Sequence, residues 1–405
     1  MPALPCPRLL PAALIAFAPL LCSAILRGSE ATSPLAVRFQ PVLNDHLVAG
    51  AVALVGSGDR ILDIETMGYA DLAARRPMTP DTLFWIASMT KAFTGTAMMM
   101  LVDDGKVSVD DPVEKFLPEF KGQMLVTEQD QDHAILRRPE HPITIRDLLT
   151  HTSGLTALTP LEKHVDMFSL RDNVRVYPLI PLRFPRGSRY EYSNAGINTA
   201  GRIVEVVSGL PFEEFLRQRL FTPLGMKDTT FWPDAGQLKR LAKSYRPNAD
   251  RTGLEETPIE QLSYPLSDHR RGVCPAGGLF STAGDVYLFC RMIFHGGIYD
   301  GRRYLSSSSV ARMTATQIGE LPMASPNLDY GYGFGWLTRR HVHRDDDPVN
   351  LGTFGAGGAY NTNMWINRPR HLITVWMVQQ ADFPEDQRSR VRNTLMKAAV
   401  ADFGR

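Results

Sequence analysis

Segments typical of β-strands occur at both ends of this chain, while its long middle is helical and rich in loops. Two β-favouring runs lie near the start, at 51–56 and 60–69, separated by turn residues. Strand patterns return only late, at 330–337, 361–366 and 372–378. A chain patterned in this way has to pair its two ends in one sheet. The sequence therefore predicts an α+β fold in which an antiparallel sheet is flanked by helices.

The middle of the chain is predicted to form a mostly helical part at 106–270, inserted into an α/β part made of 35–105 and 271–405. With 405 residues and 44% hydrophobic content, the chain can fill one large domain or two that pack closely. The helices predicted from the apolar spacing are 145–149, 196–207, 212–220 and a last one at about 387–401.

The first residues have the layout of a secretory signal. Arg8 precedes an uncharged run from Leu9 to Leu26, and small residues follow at Cys22-Ser23-Ala24. Residues 1–24 are therefore predicted to be a cleaved leader, and the protein to be exported, periplasmic or secreted. An uncharged run of this length could also stay in a bilayer as an anchor. Two prolines within the run favour cleavage, so a membrane contact is expected only if the segment remains uncleaved.

Charge and cysteine content exclude several classes of partner. The net charge is +1, which offers no basic surface for nucleic acid. Beyond the leader the chain keeps two cysteines, Cys274 and Cys290, and a chain of this size needs no disulfide for its stability. Cys290 also lies in an apolar helical pattern, so free thiols are favoured over a disulfide.

The segment Ser88-Met89-Thr90-Lys91 opens a helix directly after a short extended run. Residues i and i+3 share a helix face, so the hydroxyl of Ser88 and the amine of Lys91 become neighbours. A serine is a weak nucleophile unless an adjacent base takes its proton, and desolvation makes a lysine able to do so. The helix that follows is apolar on most faces and therefore buried. We predict Ser88 as nucleophile and Lys91 as its proton acceptor.

Two further motifs are notable, one for its polar side chains and the other for its glycines. Tyr192-Ser193-Asn194 offers a phenol that can move protons and an amide that can orient a carbonyl, although Asn194 could simply cap the next helix. The run from Thr353 to Tyr360 contains three glycines beside a strand, where a backbone can approach a substrate closely or form a bulge. Tyr360 is predicted to contact the substrate.

These three motifs together resemble the class C β-lactamase and penicillin-binding-protein family, including its family VIII carboxylesterase branch. The likeness covers roughly 35–400 and includes His151-Thr152-Ser153-Gly154-Leu155, Pro275–Ala283 and Tyr332–Trp336. It implies an active site between an α/β part and a helical part, no metal and no organic cofactor. It also implies specific roles for residues, which are Ser88 as nucleophile, Lys91 as base, Tyr192 as second acid or base, Asn194 for substrate orientation, and the backbone of Ser88 and Ala356 as oxyanion hole.

One position departs from the family pattern. The third motif usually begins with Lys or His, whereas the triplet here is Thr353-Phe354-Gly355. A threonine offers a hydroxyl without a charge, so an anionic substrate lacks a charge-assisted hydrogen bond worth ~1.5–3 kcal/mol. We therefore expect Thr353 and Gly355 to line a site for neutral esters or amides, with a carboxylesterase first, a D-amino-acid or cell-wall peptidase second and a β-lactamase third.

Other interpretations are weaker. The chain has no Gly-x-Ser-x-Gly turn and no His-Glu-x-x-His zinc motif. His341, His343 and the three aspartates at 345–347 could bind a metal, but such strings are more often solvated loops. His151 is expected to have a structural role at the end of a helix. A non-catalytic scaffold that kept the fold is the alternative of another class, motivated by the uncharged Thr353.

Overall fold

The large antiparallel sheet contains strands from both ends of the chain. We describe a computed structural model, which covers residues 35, 38, 39, 48–157, 164–323, 330–340, 351–383 and 385–404. The predicted leader at 1–24 and the residues 341–347 lie outside the described residues. The strands are β1 (Gly50–Gly56), β2 (Ile61–Asp71), β3 (Arg76–Pro77), β4 (Phe84–Trp85), β5 (Leu125–Gln129), β6 (Ala134–Arg137), β7 (Tyr245–Pro247), β8 (Leu254–Glu256), β9 (Phe280–Ser281), β10 (Ile298–Tyr299), β11 (Arg302–Arg303), β12 (Tyr330–Tyr332), β13 (Leu337–Arg339), β14 (Thr353–Gly357), β15 (Asn363–Asn367) and β16 (Leu372–Met377).

The main sheet has eight strands in the order β12-β13-β14-β15-β16-β1-β2-β3. The N-terminal strand β1 pairs antiparallel with the C-terminal strand β16, with Val52 opposite Met377 and Leu54 opposite Val375. On its other side β1 forms the predicted hairpin with β2. The α+β fold with an antiparallel sheet is therefore confirmed.

The α-helices are α1 (Thr90–Asp103), α2 (Ile145–Leu149), α3 (Leu170–Val176), α4 (Asn194–Ser208), α5 (Phe212–Leu216), α6 (Thr222–Leu224), α7 (Ala235–Arg240), α8 (Ala283–Phe294), α9 (Ser307–Met313) and α10 (Glu385–Phe403). A π-helical turn, Arg217–Phe221, follows α5, so the predicted helix at 212–220 changes its geometry midway. The described residues also form four short 3-10 turns, Ala87–Met89, Val113–Lys115, Pro118–Phe120 and Tyr177–Leu179. Among the described residues, no helix has both the length and the apolar character needed to cross a membrane.

The two faces of the sheet are covered by different helices. Because side chains alternate along a strand, Val52 and Leu54 of β1 join the core that contains α1 and α8. Ala51 and Ala53 point to the other face, where the core includes α10. The sheet is therefore buried on both sides along β1, which explains why its sequence reads as a continuous apolar run.

The described residues belong to one compact unit, Ser33–Arg405, and the division into an α/β part and a helical part remains a prediction. The helical middle also contains two hairpins, β5–β6 and β7–β8, that the sequence did not indicate. The first of them is almost wholly exposed, so it lacks the apolar alternation by which a strand is recognised. Cys274 and Cys290 are both buried and are not joined in a disulfide, which is the arrangement that the apolar pattern around Cys290 favoured.

Candidate active site

Ser88 lies in a tight 3-10 turn, Ala87–Met89, that joins β4 to α1. The preceding residue, Ala87, is buried with a φ of 44°, a left-handed conformation that costs an alanine strain energy. The turn brings Lys91 Nζ to 3.1 Å from Ser88 Oγ. Lys91 is only 1% exposed. The two side chains that the i, i+3 spacing predicted to be neighbours are therefore in hydrogen-bond contact in a buried position.

The segment Pro275–Leu279 holds the amine of Lys91 from the opposite side. Lys91 Nζ donates to the carbonyl of Ala276 at 2.6 Å. The N–H of Ala276 donates in turn to Asn198 Oδ1 at 3.0 Å, and Thr94 Oγ1 donates to the carbonyl of Pro275 at 2.7 Å. The sequence alone gives no sign of a role for Ala276 or Asn198, because nothing local links α4 and this segment to Lys91.

Tyr192 lies beside the same amine. Lys91 Nζ is 4.6 Å from the centroid of the Tyr192 ring, and Tyr192 is 38% exposed, which leaves its phenol open to the cleft. The ring of His151 stacks on Tyr192 with a centroid separation of 4.5 Å. The structure therefore brings Tyr192 together with Ser88 and Lys91, and it adds His151, which the sequence analysis treated as structural.

Asn194 does not cap the helix that it begins. The cap of α4 is Ser193, whose Oγ accepts from the N–H of Gly196 at 3.1 Å. Asn194 Oδ1 is buried without a hydrogen-bond partner among the described residues. The interpretation of Asn194 as a cap is therefore wrong, and its role in orienting a substrate stays a prediction.

The glycine-rich motif lies in β14 and the turn after it, close to the turn of Ser88. A Cβ on Gly358 would lie 2.5 Å from the carbonyl of Ile86, so only glycine allows this approach. Ala356 and Gly357 both line a cavity together with Ser88. The predicted oxyanion hole of Ser88 and Ala356 is compatible with this arrangement.

Thr353 and Gly355 lie away from the cleft. Thr353 is 1% exposed, and neither residue lines the two cavities that open on Ser88. A Cβ on Gly355 would meet the ring of Trp365 at 2.5 Å, so this glycine is required by packing between neighbouring strands. Both residues lie within the sheet, and their part in a substrate site stays a prediction that the two cavities do not support.

Tyr360 is a core residue. It is 3% exposed, its ring packs edge-on against Trp85 with centroids 5.0 Å apart, and its hydroxyl accepts from the N–H of Glu260 at 3.2 Å. Burial raises the pKa of Tyr360 to about 12. The structure therefore places Tyr360 in the core, and its contact with a substrate stays a prediction that this position does not support.

Two cavities open on Ser88. The smaller measures about 210 Å³, and its lining includes Lys91, Tyr190, Tyr192, Met323, Tyr332 and Leu337. The larger measures about 320 Å³, and its lining includes Tyr192, Asn361, Asn363, Trp365, Arg388 and Arg392. The two arginines come from α10 and bring positive charge to the cleft. Sequence reasoning missed them, since no local pattern distinguishes them from other surface arginines of a helix.

No group of three or more His, Cys, Asp or Glu side chains in the described part of the chain is arranged to hold a metal ion. The string from His341 to Asp347, which was weighed as a metal site, lies outside the described residues. Ser88, Lys91 and Tyr192 lie together at the cleft, and their catalytic roles stay predictions.

Comparisons with known proteins identify the class. The family model described as Beta-lactamase matches residues 35–399, and the chain belongs to this family. Penicillin-binding protein 4 of Amycolatopsis lactamdurans is 31% identical over 324 residues, 79% of this chain and 78% of its own length. Esterase EstB of Burkholderia gladioli is 29% identical over 374 residues, 85% of this chain and 89% of its own length.

The fold agrees with solved structures. EstCE1, described as a hydrolase with promiscuous acyltransferase activity, has a TM-score of 0.75 and 22% identity, covering 90% of this chain and 98% of its own. Simvastatin synthase of Aspergillus terreus, without ligand, has a TM-score of 0.76 and 21% identity, covering 91% and 98%. These likenesses show the fold. With the family match, they identify the protein as a serine hydrolase of the β-lactamase type.

Proposed function

We propose that this protein is an exported carboxylesterase that hydrolyses esters through an acyl-enzyme on Ser88. The observation that carries the proposal is the contact between Lys91 Nζ and Ser88 Oγ, 3.1 Å apart with the amine buried. A serine hydroxyl becomes a useful nucleophile only when a base lies within such reach. The relative named as an esterase supports an ester as the substrate.

The proposed reaction has two steps. Ser88 Oγ attacks the ester carbonyl while its proton moves to Lys91, and Tyr192 donates its phenolic proton to the departing alkoxide. The proton on Lys91 then returns to the phenolate, so that the acyl-enzyme forms with a neutral alcohol released. Water hydrolyses the acyl-enzyme in the second step, activated by Tyr192 or Lys91. The backbone N–H groups of Ser88 and Ala356 would stabilise the oxyanion in both steps.

The test is a panel of p-nitrophenyl esters of increasing acyl length, D-amino-acid peptides and nitrocefin, measured with the wild type and with Ser88→Ala. We expect ester turnover in the wild type and a loss of at least about a thousandfold in Ser88→Ala. Ser307→Ala is the matched control, because Ser307 is exposed on α9. A fluorophosphonate should label Ser88 alone, as seen by peptide mass mapping. Unchanged turnover in Ser88→Ala would reject the assignment.

The charge of the cleft favours a second candidate, hydrolysis of carboxylate-bearing amides as in a peptidase or β-lactamase. The guanidinium of Arg392 lies 5.5 Å from the Trp365 ring and 5.7 Å from the Tyr330 ring, and it borders the larger cavity. No described carboxylate forms an ion pair with Arg392. Arg392 of α10 can therefore supply the positive charge that Thr353 lacks. The preference for neutral substrates then rests on the relatives and not on the charge of the cleft.

Arg392→Gln separates the two candidates. If the guanidinium binds a substrate carboxylate, its loss should lower kcat/KM for nitrocefin or a D-peptide by about tenfold to hundredfold. The same substitution should change the kcat/KM of a neutral p-nitrophenyl ester by less than about threefold. An equal effect on both substrate types would show that Arg392 supports the shape of the cleft and does not bind the carboxylate of the substrate.

Export is proposed from the sequence of the leader. The mature chain would begin after about Ala24, and a membrane contact would arise only from an uncleaved leader. Expression in a Gram-negative host, followed by N-terminal sequencing of periplasmic and membrane fractions, tests this. A chain that still starts at Met1 in the cytoplasm would contradict export.

A further inference from the structure

His151 holds the chain on both sides of Tyr192. Its backbone carbonyl accepts from the N–H of Glu191 at 2.9 Å, and its ring Nδ1 accepts from the N–H of Ser193 at 3.1 Å. The φ of His151 is 60°, the left-handed region that a histidine adopts only when the surroundings require it. With this backbone, the carbonyl and the ring of one residue accept from the N–H groups of the two residues that flank Tyr192.

The same imidazole also contacts the Tyr192 ring itself. The two rings are 4.5 Å apart with an interplanar angle of 31°, and His151 is completely buried. Behind it the imidazole packs against Tyr332 at 4.7 Å and Tyr190 at 5.7 Å, both edge-on. Tyr192 is partly exposed, so its phenol owes its direction to the packing of His151 and to the nearby Lys91.

The imidazole must be neutral to do this, because a protonated Nδ1 could no longer accept from Ser193. Burial first, and the positive charge of Lys91 second, hold the pKa of His151 well below its usual range. The other titratable groups that face the ring are phenols, from Tyr190, Tyr192 and Tyr332. The accepting tautomer, with its proton on Nε2, is therefore maintained at neutral pH.

We propose that His151 is a positioning residue that holds the Tyr192 phenol in line with the leaving group during ester cleavage. The inference rests on the proposed function. In the acylation step the C–O bond to the leaving group breaks as the Tyr192 proton moves to the leaving oxygen. A phenol displaced by about 1 Å loses much of that transfer, an effect on the order of a hundredfold. His151 touches no reacting atom in this scheme.

The test uses two variants that differ in one feature. His151→Asn keeps an acceptor near the position of Nδ1 and tolerates the left-handed backbone, but it removes the ring. His151→Ala removes both the acceptor and the ring. The substrates are an alkyl butyrate, whose alkoxide needs a proton to leave, and p-nitrophenyl butyrate, whose phenolate leaves almost without one.

We expect His151→Ala to lower kcat on the alkyl ester by about a hundredfold, with KM nearly unchanged and the p-nitrophenyl ester affected less than about tenfold. His151→Asn should recover about tenfold of the loss on the alkyl ester through its restored bond to Ser193. Labelling of Ser88 by a fluorophosphonate should stay within about threefold of the wild type, because it does not depend on leaving-group protonation by Tyr192. Should His151→Ala fail to fold, the leaving-group dependence of His151→Asn still decides.

A double-mutant cycle with Tyr192→Phe completes the test. If His151 acts through the phenol, adding His151→Asn to Tyr192→Phe should cost nothing further on the alkyl ester. Additive losses, or equal losses on the two esters, would overturn the inference and leave His151 a structural residue. Failure of the proposed function has a different signature, since it appears in the wild type and in Ser88→Ala before any change at His151.

Discussion

Lys91 and Arg271 are both buried cations, but they differ in what surrounds the charge. Arg271 forms an ion pair with Asp166, 2.6 Å between Nη2 and Oδ2, and both side chains are almost fully buried. The hydrogen-bond partners of Lys91 among the described residues are neutral oxygens, Ser88 Oγ and the carbonyl of Ala276, and no described carboxylate lies within ion-pair distance. A carboxylate holds a cation permanently charged, whereas neutral oxygens bind an amine with or without its extra proton.

We take this difference to distinguish a cation that stabilises the fold from one that takes part in the reaction. Arg271 also donates to the carbonyls of Phe231 and Leu266, so its guanidinium ties the segment after Tyr264 to the core. Lys91 has its partners on the nucleophile and on the segment opposite to it. We therefore expect loss of the Arg271 side chain to change mainly the free energy of unfolding, and loss of Lys91 to change mainly the rate.

The largest expected effect is that of Lys91→Met on catalysis. Removal of the base should lower kcat on p-nitrophenyl butyrate by about a thousandfold or more. The free energy of unfolding should be unchanged or higher, because a buried amine is replaced by an apolar chain of similar shape. Urea unfolding and steady-state kinetics measure the two quantities. A Lys91→Met variant that loses stability but keeps its rate would show that Lys91, like Arg271, serves mainly the stability of the fold.

Arg271→Met comes next. It leaves Asp166 buried without its countercharge, which should lower the free energy of unfolding by about 3–5 kcal/mol. The double variant Asp166→Asn/Arg271→Met should recover part of the loss, because asparagine still accepts from the N–H of Ser263. Turnover per folded molecule should remain within about threefold of the wild type. A double variant no more stable than Arg271→Met would mean that packing, and not the unpaired charge, dominates.

The same contrast explains what the sequence could predict. Ser88 and Lys91 are three residues apart, so helical geometry alone brought them together, and the strand patterns at both ends were enough for the sheet. Ala276 and Asn198 meet Lys91 only in the folded chain, and Arg392 reaches the cleft from the last helix. Such partners depend on which elements pack together, and one sequence carries no local signal for that. Tyr360 is the opposite case, because its local sequence fits a core as well as a cleft, and only the folded chain shows that it lies in the core.

Asp285 is the acidic counterpart of Lys91, a buried charge with neutral partners. Its Oδ2 accepts from the N–H of Asp228 at 2.8 Å and from the hydroxyl of Thr229 at 2.9 Å. Burial raises its pKa from 3.8 to about 6. The folded state therefore binds the proton more tightly than the unfolded state, so stability falls as pH rises from about 4 to about 6 and is flat above that.

The size of this loss should be ~2–3 kcal/mol, and Asp285→Asn should remove it. Urea unfolding at a series of pH values from about 4 to about 7.5 measures both proteins under the same conditions. Between about pH 4 and 6 the free energy of unfolding of the wild type should fall through Asp285, and Asp285→Asn should lack this part of the fall. Equal slopes in the two proteins would mean that Asp285 is adequately solvated by its neutral donors.

The smallest expected effect tests the neutral surroundings of Lys91 directly. Asn198→Asp keeps an acceptor for the N–H of Ala276 but adds a negative charge beside the segment that binds the amine. A carboxylate there would stabilise the positive charge on the amine and weaken it as a proton acceptor, so kcat/KM on p-nitrophenyl butyrate should fall by about tenfold. Asn198→Leu removes the acceptor without adding charge, and it should lower kcat/KM by less, about threefold. Equal losses in the two variants would show that the added charge has no effect of its own, and the neutral surroundings of Lys91 would then not explain its difference from Arg271.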